Sequence, residues 1–164
     1  MHDEMKRDLL SFIPSLRAFA FCLTQDHSRA YELVFSSLAE IWSSHAGKNG
    51  LALKVAAFNT VRRQFSSLVI VDLVPMLAFG RLPAEDDVFR SRFTRLPRTE
   101  REAISLIEVW GFDPSQAAEI CDCDLETINR RVGMARCHLP ARSPHPISVG
   151  AIMADTAAVH ASAA

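Results

Sequence analysis

Apolar residues recur along most of this chain at three- and four-residue spacing, the signature of helices with one buried face. Leu9, Leu10 and Ile13 lead into Pro14, which suits the first turn of a new helix, and Leu16, Ala20 and Leu23 then continue the stripe. Thr24-Gln25-Asp26 interrupts it, and Asp26 is placed to cap a second helix carrying Ala30, Leu33, Val34, Leu38, Ile41 and Trp42. His45 to Gly50 reads as a loop. A third helix follows, with Leu51, Val55, Phe58, Val61 and Phe65 as its apolar stripe.

The pattern changes after residue 68. Residues 69–95 read as a linker, yet Val69, Ile70, Val71, Leu73, Val74, Met76, Leu77 and Phe79 give it an apolar surface that a solvated linker lacks. Pro75 and Gly80 interrupt it, and residues 83–87 make an acidic turn. Such a segment is expected to pack as a helix on one domain or to cover a surface that a partner takes. Residues 96–139 carry the densest start and stop signals. Thr99 and Glu102 form a Thr-x-x-Glu capping box for a helix ending near Trp110, where Gly111 supplies the turn. Asp113, Pro114 and Gln116 repeat the logic for a short helix with Ala117, Ala118 and Ile120 on its packing face. Asp124 caps a last helix with Leu125, Ile128, Val132, Ala135 and Leu139 as its buried stripe. From residue 140 to 164, Pro, Ser, Ala and His dominate and the tail reads as disordered or loosely attached. The predicted fold is all-α: two small helical domains, 1–68 and 96–139, joined by a linker.

Helix, turn, short helix, turn and an arginine-bearing helix is the layout of a helix-turn-helix reader of double-stranded DNA. Charge qualifies that reading. The chain has net charge −1, and residues 98–139 hold five arginines and no lysine against eight acidic residues. Any DNA contact must therefore come from a local patch or from a partner's help. Thr127, Asn129, Arg130, Arg131 and Arg136 form the available set, with arginine suited to guanine or phosphate and asparagine to adenine. The alternative is a solvated face whose arginines pair with Glu119, Asp122 or Glu126.

Other chemistry is sparse. There is no nucleophile elbow, Gly-rich phosphate loop or His-Glu-x-x-His motif, so no enzyme and no cofactor are expected. Cys121, Cys123, Cys137 and His138 do not have zinc-knuckle spacing, so no metal is expected and the cysteines, Cys22 among the four, read as small buried thiols in a reducing cytosol. No apolar run is long enough for a membrane span. The six histidines are scattered without partners at ligand spacing. Trp42 and Trp110 read as core residues. Tyr31 and Phe35, one turn apart, read either as core or as an exposed face.

The order of elements resembles the extracytoplasmic-function sigma factors of bacterial RNA polymerase. The residues that carry the resemblance are Leu96-Pro97, Arg101-Glu102-Ala103, Gly111-Phe112, Ala117-Ala118-Glu119-Ile120, Glu126 to Arg131 and Met134-Ala135-Arg136. Residues 14–20, Leu33-Val34 through Trp42, and Ala57 to Arg62 are similar to the family's N-terminal domain. The resemblance implies a cytoplasmic transcription initiation factor whose partners are core RNA polymerase, double-stranded promoter DNA and an anti-sigma protein. It places Glu32, Phe35 and Ser36 at the polymerase clamp, Arg62 and Arg63 near the −10 element, and the last helix at the −35 element.

Departures accompany it. Phe35 and Ser36 stand where the family has Gln and Glu, exchanging polar acceptors for a partly apolar face. Arg62 and Arg63 are not followed by the family's basic run. Asn129 replaces a lysine, Met134 an arginine and Glu126 a glycine, and Gly133 sits mid-helix at a cost of about 1 kcal/mol relative to Ala. A second reading follows from them: a sigma-like interaction protein that binds an anti-sigma factor without productive promoter recognition. A third, a free-standing repressor, accounts for residues 96–139 and leaves the first domain unexplained.

Overall fold

A computed structural model describes residues 2–45, 47–68 and 85–139. The apolar part of the linker and the tail from residue 140 lie outside the described residues. Among those described there are helices and no strand. They run as α1 (His2–Thr24), α2 (His27–Ser44), α3 (Gly50–Leu68), α4 (Glu85–Arg95), α5 (Arg98–Ile104), α6 (Pro114–Cys121) and α7 (Leu125–His138). A π-helical turn, Ser105–Val109, extends α5. Residues 85–87, expected in an acidic turn, instead form the first turn of α4.

Helices α1, α2 and α3 pack on one another as a three-helix unit, and α5, α6 and α7 form the second unit. Leu16, Phe19, Leu33, Ile41, Leu53, Phe58 and Val61 are fully or almost fully buried in the first, as are Ile104, Leu106, Ile120 and Ile128 in the second. These residues belong to one continuous apolar core rather than two. Helix α3 lies against α6, and α1 against α5. The join is aromatic. Phe58 of α3 meets Phe112 at 5.0 Å between ring centroids, edge to face, and Phe19 of α1 meets Trp110 at 5.4 Å. Edge-to-face pairs at this spacing add to the gain from burying their area.

Four sequence expectations are corrected. Pro14 starts no helix; it lies inside an unbroken α1. A proline there removes one backbone donor, and burial of Met5, Leu9, Leu16 and Phe19 on either side holds the helix together across the gap. The capping box at Thr99 does not form. Helix α5 begins two residues earlier, with Pro97 at the cap position and no side-chain cap. The Pro97 carbonyl accepts from the amides of Glu100 and Arg101, which leaves Glu102 free to point elsewhere. Leu51 is exposed and Leu53 fills the core in its place. Leu125, expected to be buried, is 49% exposed in the first turn of α7.

The remaining caps follow the sequence. Asp26 accepts from the Arg29 amide at 2.8 Å. Asp113 and Gln116 form a reciprocal capping box. Gly111 turns the chain at φ 68°, a conformation costly for side chains with a Cβ. Asp124 accepts from the Thr127 amide at 2.6 Å, and this bond holds its carboxyl below the usual aspartate range. A depressed carboxyl stabilises the fold above its unfolded pKa, and that stabilisation is lost as pH falls through the lower, folded value. Amide exchange at Thr127 is therefore expected to accelerate in Asp124→Ala at neutral pH. In the native chain the same acceleration should appear only on acidification below the ordinary aspartate range.

Candidate nucleic-acid interface and the seam beneath it

Helix α7 is the second helix of the helix-turn-helix, and α6 is the first. Ile128, Val132 and Ala135 face inward, so helical spacing turns Asn129, Arg130 and Met134 outward, and all three are exposed. The other residues of the predicted set flank this face. Thr127 is half-buried at the cap. Arg131 is half-buried, and its Nη1 donates to the Cys123 sulfur at 3.7 Å. Arg136 reaches back to Glu108 at 2.8 Å. The expected pairing with Glu119, Asp122 or Glu126 is thus replaced, for Arg136, by a longer-range partner on the π turn. That leaves Arg130 and Asn129 as the polar pair on the outer face.

Helix α2 presents a different surface. Tyr31 is 59% exposed, Phe35 71% and Trp42 43%, and their spacing places them along one side of the helix. Core packing of Tyr31 and Phe35, one of the two sequence readings, does not occur, and Trp42 is likewise outside the core. Trp110, its counterpart, is buried as expected. Arg17 of α1 lies over the Tyr31 ring at 5.9 Å. Glu32 is exposed beside this stripe. Ser36 faces α3, donating to Gln64 Oε1 at 2.8 Å. The polymerase-side set therefore divides: Glu32 and Phe35 face outward, while Ser36 is tied to the bundle.

Arg62 and Arg63 are neighbours in sequence with different surroundings. Arg63 is exposed and paired with Glu40 of α2. Arg62 points at the second unit, where its Nε donates to Glu102 Oε1 at 2.9 Å. The Glu102 side chain is 1% exposed. Burial pushes its carboxyl up, and Arg62 opposes that shift only in part.

More polar bonds line this seam between the two units. Arg101 is buried and donates through Nε to the Cys22 carbonyl at 2.7 Å, and through Nη1 to the carbonyls of Thr94 and Leu96. Asn59 donates to the Glu119 carbonyl at 3.0 Å, Lys54 to the Trp110 carbonyl at 3.0 Å, and Gln25 to the Thr94 carbonyl at 2.8 Å. Lys54 also lies over the Phe112 ring at 4.7 Å. The thiols of Cys22 and Cys121 lie in this buried region, and burial pushes each up to about 12; Cys123 is half-buried and Cys137 exposed, so the expected burial fails for those two, which sit on the turn and outer end of the last two helices. Buried thiols held in the neutral form are inert. Among the described residues no cluster of His, Cys, Asp or Glu could hold a metal ion. None of their helices is long and apolar enough to cross a membrane.

Sequence reasoning did not single out Arg101, Glu102, Asn59 or Lys54 as seam residues. The available signal was faint: Arg101-Glu102 precedes the apolar run Ala103 to Ile107, which is an unfavourable place for two charges unless both find partners.

A two-unit helical chain ending in a helix-turn-helix matches known proteins over most of its length. The ECF RNA polymerase sigma factor EcfG of Rhodopseudomonas palustris (strain TIE-1) is 33% identical over 156 residues, an alignment covering 85% of this chain and 84% of that protein. The chain belongs to the ECF RNA polymerase sigma factors. No family model matches it. This sigma factor also superposes on the sigma factor RpoE of Bartonella quintana, solved in complex with the anti-sigma factor NepR. That match has TM-score 0.66 and 29% identity over 92% of this chain and 97% of that one. A structure of the PhyR stress response regulator matches at TM-score 0.51 and 25% identity, over 80% of this sigma factor and 48% of the PhyR chain.

Proposed function

We propose that this sigma factor directs polymerase to its promoters with α7 in the major groove of the upstream element, and that Arg130 and Asn129 are its base- and phosphate-facing pair. The observation that carries this reading is the outward face of α7, on which these two side chains stand opposite the buried Ile128, Val132 and Ala135. Thr127, Arg131 and Arg136 support the rim. Arg62 and Arg63 meet phosphates near the −10 element. Glu32 and Phe35 contact the polymerase clamp, and the aromatic stripe on α2 replaces charge with apolar area there. Ser36 holds the stripe's helix against α3. Residues 1–68 and 96–139 act as the two functional domains, in the cytosol where the polymerase works. Weak DNA affinity in an acidic reader is tolerable because core polymerase supplies a high effective concentration.

An anti-sigma protein of the NepR type is the inferred negative partner, as NepR is for the RpoE of Bartonella quintana. The reading as a sigma mimic without promoter activity has less support. The chain spans 84% of EcfG and 97% of the RpoE chain, but only 48% of the PhyR chain.

The test is run-off transcription with core polymerase, together with promoter binding across a salt series. Arg130→Ala is expected to weaken promoter binding and to reduce the salt slope by about one. Arg131→Ala, whose guanidinium is partly occupied by Cys123, should lower the slope less. Promoter-specific transcripts from the native chain that are unaffected by Arg130→Ala would remove α7's outer face from promoter recognition. Absence of any transcript, with tight NepR capture, would favour the mimic.

A further inference from the structure

The carboxylate of Glu102 is hydrogen-bonded at one oxygen only. Oε1 accepts from Arg62 across the seam, and Oε2 is buried with no hydrogen-bond partner. The other groups facing Glu102 are Arg98 on its own helix, Arg131 on α7 and the Cys121 thiol on α6. Neither arginine takes Arg62's place. The Arg98 guanidinium lies over the Phe65 ring at 5.3 Å, and Arg131 donates to Cys123. Arg62 of the first unit therefore supplies the hydrogen bond to a buried charge in the second, while Arg98 and Arg131 contribute charge without one. Removing one member of such a pair is far more costly than removing both, because the survivor is left bare in an apolar site.

The closed seam cannot persist on a promoter. The −10 and −35 elements lie roughly 25 base pairs apart, or about 85 Å at about 3.4 Å per step. A folded chain of this length has a radius of gyration of only about 15 Å. The two units must separate to occupy both elements, and Phe58, Phe112, Phe19 and Trp110 oppose that separation.

We propose that Glu102 is a buried wedge that Arg62 holds in check: when promoter phosphate draws Arg62 away, the uncovered carboxylate drives the two units apart. The trigger rests on the reading of Arg62 as a phosphate contact; the wedge does not. One guanidinium cannot serve phosphate and Glu102 together, so DNA engagement and seam closure oppose each other, and by linkage the opposition is reciprocal.

The experiment measures a distance between spin labels on the full chain, at the exposed Cys137 and at Ser43→Cys, with Cys123→Ser removing the half-buried thiol. The native chain should give one short distance. Arg62→Met should raise the open-to-closed ratio by roughly 100-fold at neutral pH. Adding Glu102→Gln to Arg62→Met should restore the short distance, which also shows that the single variant opened rather than misfolded. Acidification should reclose Arg62→Met, because a carboxyl whose pKa is raised by burial favours the closed form below that value and loses the advantage as pH rises through it. Arg62→Met at the native distance, or a double variant as open as the single, overturns the wedge. The trigger has its own readout in promoter affinity of the polymerase complex. The salt slope of that affinity isolates the phosphate contact, because opening of the seam alone does not alter it; an unchanged slope in Arg62→Met would overturn the phosphate reading of Arg62, and the trigger with it, even where the label distances follow the expected cycle.

Discussion

Phe58→Ala is expected to destabilise the whole chain by about 3–5 kcal/mol, the usual cost of emptying a buried aromatic site. Phe58 has no exposed surface and contacts Phe19, Trp110 and Phe112 from both units. The cavity would therefore open where the units meet, and collapse around it is limited because three other rings and two helices are already fixed there. Urea unfolding followed separately by helix content and by tryptophan emission checks the size of the effect. It also checks its reach. If the seam makes one cooperative core, both signals should shift together to lower urea, as two-state behaviour requires. A first unit that melts early while Trp110 keeps its native emission would mean that the two units are stable separately.

Arg101→Met is expected to cost roughly 2–4 kcal/mol, from the lost charged donor to the Cys22 and Leu96 carbonyls; the Thr94 carbonyl keeps Gln25. The side chain is buried, and its three bonds reach the Cys22 carbonyl in α1 and the Thr94 and Leu96 carbonyls at the end of α4. It therefore pins three segments at once. Burial also lowers its affinity for a proton. Arg101→Lys should recover only part of the loss, because an ammonium on a flexible stem cannot present the planar fork that meets carbonyls in two directions. Thermal unfolding of the three proteins checks the ranking. A lysine variant equal to the native chain would mean that charge, rather than the fork, is what the site requires.

Much of the helical framework was legible because its signals are local. Asp26, Asp113 with Gln116, Gly111 and Asp124 each act within one turn of themselves, so a few residues suffice to place a helix end. Pro14 and Thr99 misled for the same reason. Each carries a valid local signal, and each was overridden by longer-range packing: burial on both sides of Pro14, and the earlier helix start at Pro97. Exposure was harder to read. Leu51 and Leu53 are equally apolar, and the phase of α3 against α1 decides which one is inside. Tyr31, Phe35 and Trp42 look like core residues by type, and only the packed bundle shows that the α2 stripe faces outward.

The proposed DNA-reading set was visible as a helix with arginines, but its internal division was not. Arg136 turns to Glu108, 28 residues away in sequence, and Arg131 turns to Cys123. The seam was least visible. Arg62 to Glu102 spans 40 residues, and Arg101 to Cys22 spans 79. No periodicity within either unit encodes such pairings, which depend on how the two units dock.

The four cysteines give this chain a built-in chemical clock. Cys137 is exposed, Cys123 is half-buried, and Cys22 and Cys121 are buried. Cys22 is the residue whose own carbonyl Arg101 grips, and Cys121 lies close enough to Glu102 to feel its charge. An alkylating reagent should therefore modify one thiol at once and a second more slowly. The last two would react only as often as the interior becomes accessible. Counting modified thiols by mass against time would turn the burial order of the four sulfurs into a measured opening rate, without adding a label to the protein.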